Sequence, residues 1–304
     1  MTLLIYNRPD HTERVMQQIA RARPTHLLIY ADGAACEAHR PACEAARERA
    51  TRVTWPCTVL TNFRSGNVGV RTAVAEGVTW ALGQVGESII LEDDCLAAPD
   101  FFPYAWELLD HFRHDLRVMH VGGECYHAAA EAYPYSYFFS RYPLPWGWAT
   151  WQRAWAHYDP SLAGWRDVPD SVLRSSLFDL PEEVLYWYPF LREAIANPGD
   201  VTWDYLWMFA CWLNAGLAVH PKVNLISNIG WGVDASHTKG TGPLDSRATG
   251  SLGAIVHPGS IIRDRAADAA TFDDRFPGRE LRRMRAWDYR LTLPLRRAKR
   301  WLFN

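Results

Sequence analysis

The chain has 304 residues, 48% hydrophobic and 22% charged, with a formal net charge of −2. That is the make-up of an ordinary globular protein, and the lack of a basic excess argues against a general nucleic-acid binder. The length fits one domain with a long C-terminal extension, or one and a half domains, and no run reaches the roughly eighteen apolar residues of a membrane span.

The opening MTLLIYNRPD has no basic stretch and five apolar residues before Asn7, too short a run for a signal peptide. Residues 2–6 read as a buried strand, and a helix follows with Pro9 in its first turn. A second strand is expected over 26–33, a helix over 37–50, a third strand over 57–63 and a helix over 68–85 with apolar residues at helical spacing. A fourth strand over 88–94, a helix over 99–112 and a fifth strand over 117–123 complete this half. Such alternation predicts an α/β fold, a mostly parallel sheet covered by helices on both faces. From Tyr133 the pattern changes to an aromatic-rich run, followed by helical segments near 170–178, 182–196 and 203–214 and the apolar stretch LAVHPKVNLISNIGWG. Residues 230–253, rich in Gly, Ser and Thr, read as a mobile loop, and the basic residues 279–300 as helical.

Fifteen Trp and thirteen Tyr are many for this length; they are either a Trp-rich core or a stacking surface for sugars or bases. The six cysteines show no zinc spacing, which suits reduced, mostly buried thiols. No G-x-G-x-x-G follows the first strand and no Walker A pattern occurs.

Ligands in parallel sheets bind at the carboxyl ends of strands. Asn7, Arg8, Asp32, Glu92, Asp93 and Asp94 all fall at predicted strand ends. Adjacent carboxylates set against apolar chain repel one another and are poorly solvated. A hard divalent cation that also grips substrate phosphates relieves both problems; the alternative is a solvated turn or a helix cap.

LEDDCLAAPDFF closely resembles the acidic segment of N-acetylglucosaminyltransferase I and its bacterial relatives, which are GT-A glycosyltransferases. YNRPDHT, YADG, RTAVAEGVTWALGQV, WGWATWQRAW, TWDYLW and NIGWGVDASHT resemble further segments of that family in the same order, over roughly residues 1–240. The resemblance implies a GT-A, Rossmann-like domain over 1–250 and a helical C-terminal extension over 251–304. It implies metal-dependent, inverting transfer of a sugar from a nucleotide-sugar donor, uridine-linked, to a hydroxyl of a glycan, lipid-linked or protein acceptor in bacterial surface polysaccharide or glycoconjugate assembly.

In this family the last acidic residue of the motif binds the metal, Mn²⁺ or Mg²⁺; that is Asp94 here. Glu92 and Asp93 would contact the donor's ribose or sugar. Arg8 and Asp32 match nucleotide-holding positions, with Asp32 accepting the N3–H of uracil and Arg8 meeting a ribose or phosphate oxygen. Asp204, in TWDYLW, would be the general base; a first-turn capping Asp is the alternative. His237 in the late loop is a candidate second metal ligand or a solvent-exposed histidine, with Asp234 the weaker choice. Trp146 and Trp148 flank Gly147; they floor a sugar or pack a corner of the core.

The basic tail, 279–303, is either a solvated helix docked on the domain or a segment meeting anionic lipid headgroups. The expected location is cytoplasmic, with peripheral attachment to the inner face of the membrane as the alternative. Two other functions fit parts of the pattern. A sugar nucleotidyltransferase shares such a sheet and acidic site, but normally has a Gly-rich basic loop after the first strand, where YNRPDHT has no glycine. The other is a catalytically inactive GT-A-fold carbohydrate-binding or scaffold protein.

Overall fold

A computed structural model describes residues 1–127, 132–230 and 247–286. The first half alternates as expected: β1 (Thr2–Ile5), α1 (Pro9–Ala22), β2 (His26–Ala31), α2 (Arg40–Thr51), β3 (Thr58–Phe63), α3 (Gly69–Val85) and β4 (Glu87–Glu92). A short β5 (Cys95–Ala97) precedes α4 (Phe101–His111) and β6 (Val118–Gly122). Next come β7 (Tyr137–Ser140), β8 (Trp148–Trp151), α5 (Gln152–Trp155), α6 (Asp170–Ser176), α7 (Pro181–Ala196) and α8 (Trp203–Leu213). The remaining elements are β9 (Leu217–Pro221), β10 (Ile226–Asn228), α9 (Arg265–Arg275) and α10 (Gly278–Arg285).

One sheet of eight strands runs in the order β3-β2-β1-β4-β8-β6-β9-β7. Strands β1, β2, β3, β4, β6 and β9 share a direction; β8 and β7 oppose it. The mostly parallel α/β fold expected from the alternation is therefore present. From β1 the sheet grows through β2 and β3 on one side and through β4 on the other. The carboxyl edge between β1 and β4 is thus a topological switch point, where adjacent loops diverge and leave a crevice.

Close approach of α3 to the sheet depends on Gly77. A Cβ there would lie 2.8 Å from Leu4 Cδ2 and 2.9 Å from Tyr30 Cγ. Gly77→Val should destabilise the protein by about 1–3 kcal/mol, the usual overpacking range, despite valine's better helix propensity. Urea unfolding with an unchanged m-value would check this.

Five strands were not foreseen, and each has a physical reason. β7, β8 and β9 are buried on both faces, so no polar alternation marks them. β5 and β10 have three residues each and pair only with one another. The fourth predicted strand stops at Glu92, two residues early, because Asp93 and Asp94 form a turn from which β5 departs.

Two cores divide the apolar residues. The first surrounds the sheet. The second is aromatic and helical, joining Tyr142, Trp165, Trp187, Phe209 and Trp212 to Phe272 of α9. Trp148, Trp151, Trp155, Trp165, Trp187, Trp203, Trp207 and Trp212 are all buried, so most of the tryptophan excess is core. In the described part of the basic tail, Arg279, Arg282 and Arg285 are neutralised by Asp274, Asp273 and Glu182. The rest of the tail lies outside the described residues. Among the described residues no helix is long and apolar enough to cross a membrane.

Candidate active site

A cleft of about 800 Å³ opens over the switch point. Its wall includes Tyr6, Asn7 and Arg8 after β1, Asp32 after β2, Glu92 to Asp94 after β4, and Asp204 in the first turn of α8. Trp146, Asn228 and Gly230 also line it. Of the residues singled out in the sequence, Arg8, Asp32, Glu92, Asp93, Asp94, Trp146 and Asp204 meet here. His237 and Asp234 lie outside the described residues.

The acidic turn is held from three sides. Arg8 Nη1 donates to Asp94 Oδ2 at 2.9 Å and lies 3.9 Å from Asp93 Oδ1. The Tyr6 amide donates to Asp93 Oδ2 at 3.1 Å. Asn228 Nδ2 donates to Asp94 Oδ1 at 3.4 Å, and the Ile229 amide to the Asp94 carbonyl at 2.8 Å. The β5–β10 ladder makes this possible by carrying Asn228 and Gly230 back to the turn. A Cβ at Gly230 would sit 2.1 Å from Asp94 Oδ2, so only glycine fits there without a shift.

One arginine does not neutralise three acids. Burial, then repulsion by Asp94, Asp93 and Asp204, pushes the Glu92 carboxyl well above the usual range, against the pull of Arg8. Burial first and Asp94 second push Asp93 up to about 7. The donor set, hard carboxylate oxygens short of positive charge, fits a hard divalent cation. The Asp94 side chain is the more accessible of the adjacent pair, 19% exposed against 10% for Asp93. Among the described residues no three His, Cys, Asp or Glu side chains are gathered as a ready-made metal site.

The raised Asp93 has a stability consequence. Between about pH 4 and 7 the folded carboxyl keeps a proton that the unfolded one has lost, so this group's contribution falls as pH rises through that window. Asp93→Asn keeps an oxygen for the Tyr6 amide and removes the charge. The variant should match the parent in Tm at pH 4 and exceed it at pH 8, by about 2–4 °C per kcal/mol relieved. Thermal melts across that range would show it; a constant difference would refute it.

Asp32 has a structural role as well as its place in the cleft, and the expectation for Trp148 needs correction. Asp32 is 4% exposed. Its Oδ1 accepts from the amides of Gly33 (2.8 Å) and Val68 (3.1 Å), and its Oδ2 from Asn67 Nδ2 (2.9 Å) and the Gly69 amide (3.1 Å). These bonds satisfy the orphan N–H groups at the start of α3, and the residue still lines the cleft. Trp148 does not reach the cleft. It is 1% exposed, stacked on His120 at 5.1 Å and on Trp203 at 5.8 Å. Gly147, with φ of +58° and Ile226 packed where a Cβ would be, turns the chain so that Trp146 faces the cleft and Trp148 enters the core.

Asp204 follows Thr202, whose hydroxyl donates to Asp204 Oδ1 at 2.5 Å. Thr202 thus aims the carboxylate rather than capping the helix amides. Residues not singled out from the sequence complete the wall. Tyr6 accepts from the Ala35 amide at 3.1 Å and pairs with His39 Nδ1 at 2.9 Å, beside Asn67. Arg275 of α9 closes the side near Trp146. Tyr6 opens the quoted motif YNRPDHT, and Asn67 sits in an S-G-N turn signal; nothing in the local sequence marks Arg275.

No family model matches the sequence, and no curated protein matches it. Among solved structures the chain is similar to UDP-glucose pyrophosphorylase complexed with UDP-glucose. The TM-score is 0.25 and the identity 8%, over 46% of this chain and 62% of that one. A likeness at that score carries no argument about ligand or reaction.

Proposed function

We propose that the protein is a divalent-metal-dependent, inverting glycosyltransferase that takes a nucleoside diphosphate sugar, uridine-linked, and a hydroxyl acceptor. The reading is carried by the meeting of Asp94 and Asp204 in one cleft over the switch point of the sheet. Asp94 would hold the cation, with diphosphate and water oxygens filling its other positions. Once bound, such a cation neutralises the charge that grows on the departing diphosphate.

Asp204 takes the proton of the acceptor hydroxyl as that oxygen attacks the anomeric carbon. The new C–O bond forms on the face opposite the diphosphate, the old C–O bond breaks, and the diphosphate leaves with the electron pair. Thr202 engages Oδ1 alone, which leaves Oδ2 for the proton. Arg8, beside Asp94, meets a phosphate or ribose oxygen. Tyr6, His39 and Asn67 flank the nucleoside together with Asp32.

The test is a donor assay on the full chain. UDP-sugars incubated with Mn²⁺ should release UDP slowly without acceptor, and a chelator should stop it. A nucleotidyltransferase would instead make pyrophosphate from a nucleoside triphosphate and a sugar phosphate, and a binding module would turn over neither.

A further inference from the structure

Arg275 is a cleft residue to which the transfer mechanism gives no task. It comes from α9, beyond the motifs, yet lines the same cleft as Asp204, Tyr205 and Trp146. Its guanidinium carbon lies 5.2 Å from the Trp146 ring centroid and 5.7 Å from that of Phe276. Nε is buried without a hydrogen-bond partner. Glu124, Tyr205 and Asp204 are near enough to act on its charge. None of them forms an ion pair with it among the described residues; Glu124 is occupied by the Tyr126 hydroxyl at 2.8 Å and the Trp146 amide at 3.1 Å.

Burial works against this cation and Tyr126, Glu124, Tyr205 and Asp204 hold it charged from a distance, yet among the described residues it makes no hydrogen bond to any of them, so its donors stay available to a ligand. The planar fork of an arginine suits a carboxylate or phosphate that arrives with a ligand. The nucleotide's own phosphates are already assigned to Arg8, which pairs with Asp94. Arg275 shares the cleft with Asp204, the group that must touch the acceptor hydroxyl, and is near enough for the two charges to act on one another. We propose that Arg275 binds an oxyanion carried by the acceptor, a sugar carboxylate or a phosphate ester, next to the hydroxyl that Asp204 deprotonates. The acceptor is then an acidic saccharide or a phosphorylated one. This inference rests on the transferase reading.

The experiment measures binding to the full chain, saturated with UDP and Mn²⁺, of methyl β-D-glucuronide, glucose 6-phosphate and methyl β-D-glucoside. One anionic probe should bind at least about tenfold tighter than the neutral glucoside, and which one does separates carboxylate from phosphate. Arg275→Gln should erase that advantage while leaving UDP affinity unchanged, and Arg275→Lys, which keeps the charge, should retain part of it. Equal binding of charged and neutral sugars overturns the proposal, as does an advantage that survives Arg275→Gln or a loss of UDP affinity in that variant. UDP binding is measured first, without sugar. Its absence sinks the transferase reading, whereas an anion preference lost only in Arg275→Gln keeps the site.

Discussion

Replacing Asp204 with asparagine should lower kcat by about 10²–10⁴-fold, the usual worth of a positioned general base, and leave UDP binding with Mn²⁺ intact. Asparagine keeps an oxygen for the Thr202 hydroxyl, so the first turn of α8 retains its geometry. What disappears is the ability to accept a proton from the acceptor. The loss should therefore fall on kcat and kcat/KM together, the mark of an interaction made in the transition state. Steady-state kinetics with a saturating donor would decide it. A variant with normal kcat would remove Asp204 from the chemistry and leave it as a helix-start residue.

The second large effect belongs to Asp94. Asp94→Asn should abolish the part of UDP binding that depends on Mn²⁺. A ligand at a hundred times its Kd stabilises the native state by about 2.7 kcal/mol, so the parent should show a clear thermal shift with UDP and Mn²⁺ together and the variant should not. The apo fold should persist, because removing this charge also relieves repulsion that helps push up Glu92 and Asp93. Retention of the full shift in the variant would mean that nucleotide is gripped elsewhere.

Much of this cleft was legible because β1, β2 and β4 read clearly as buried apolar runs, and the residues at their ends are set by backbone direction alone. The encounter of Asp94 with Asp204 was reached only through the family resemblance, since it depends on how β8 slips between β4 and β6. That strand has four residues, with Trp148 and Trp151 at its ends, is followed at once by a helix, and has no period that could reveal it. Asp32 shows a different limit. A carboxylate at a strand end reads the same whether it meets a ligand or the amides of the next helix, and only the placement of Val68 and Gly69 reveals the second. Arg275 was invisible because its importance comes from the docking of α9 against the aromatic core, a tertiary event.

That docking has a consequence for biosynthesis. Phe272 is fully enclosed beside Tyr142 and Trp187, and Asp268 takes hydrogen bonds from Ser140 and the Arg141 amide. A nascent chain still lacking α9 would display those rings to solvent with nothing to cover them. The helical half is therefore expected to reach its packed state only once α9 has been made and can dock.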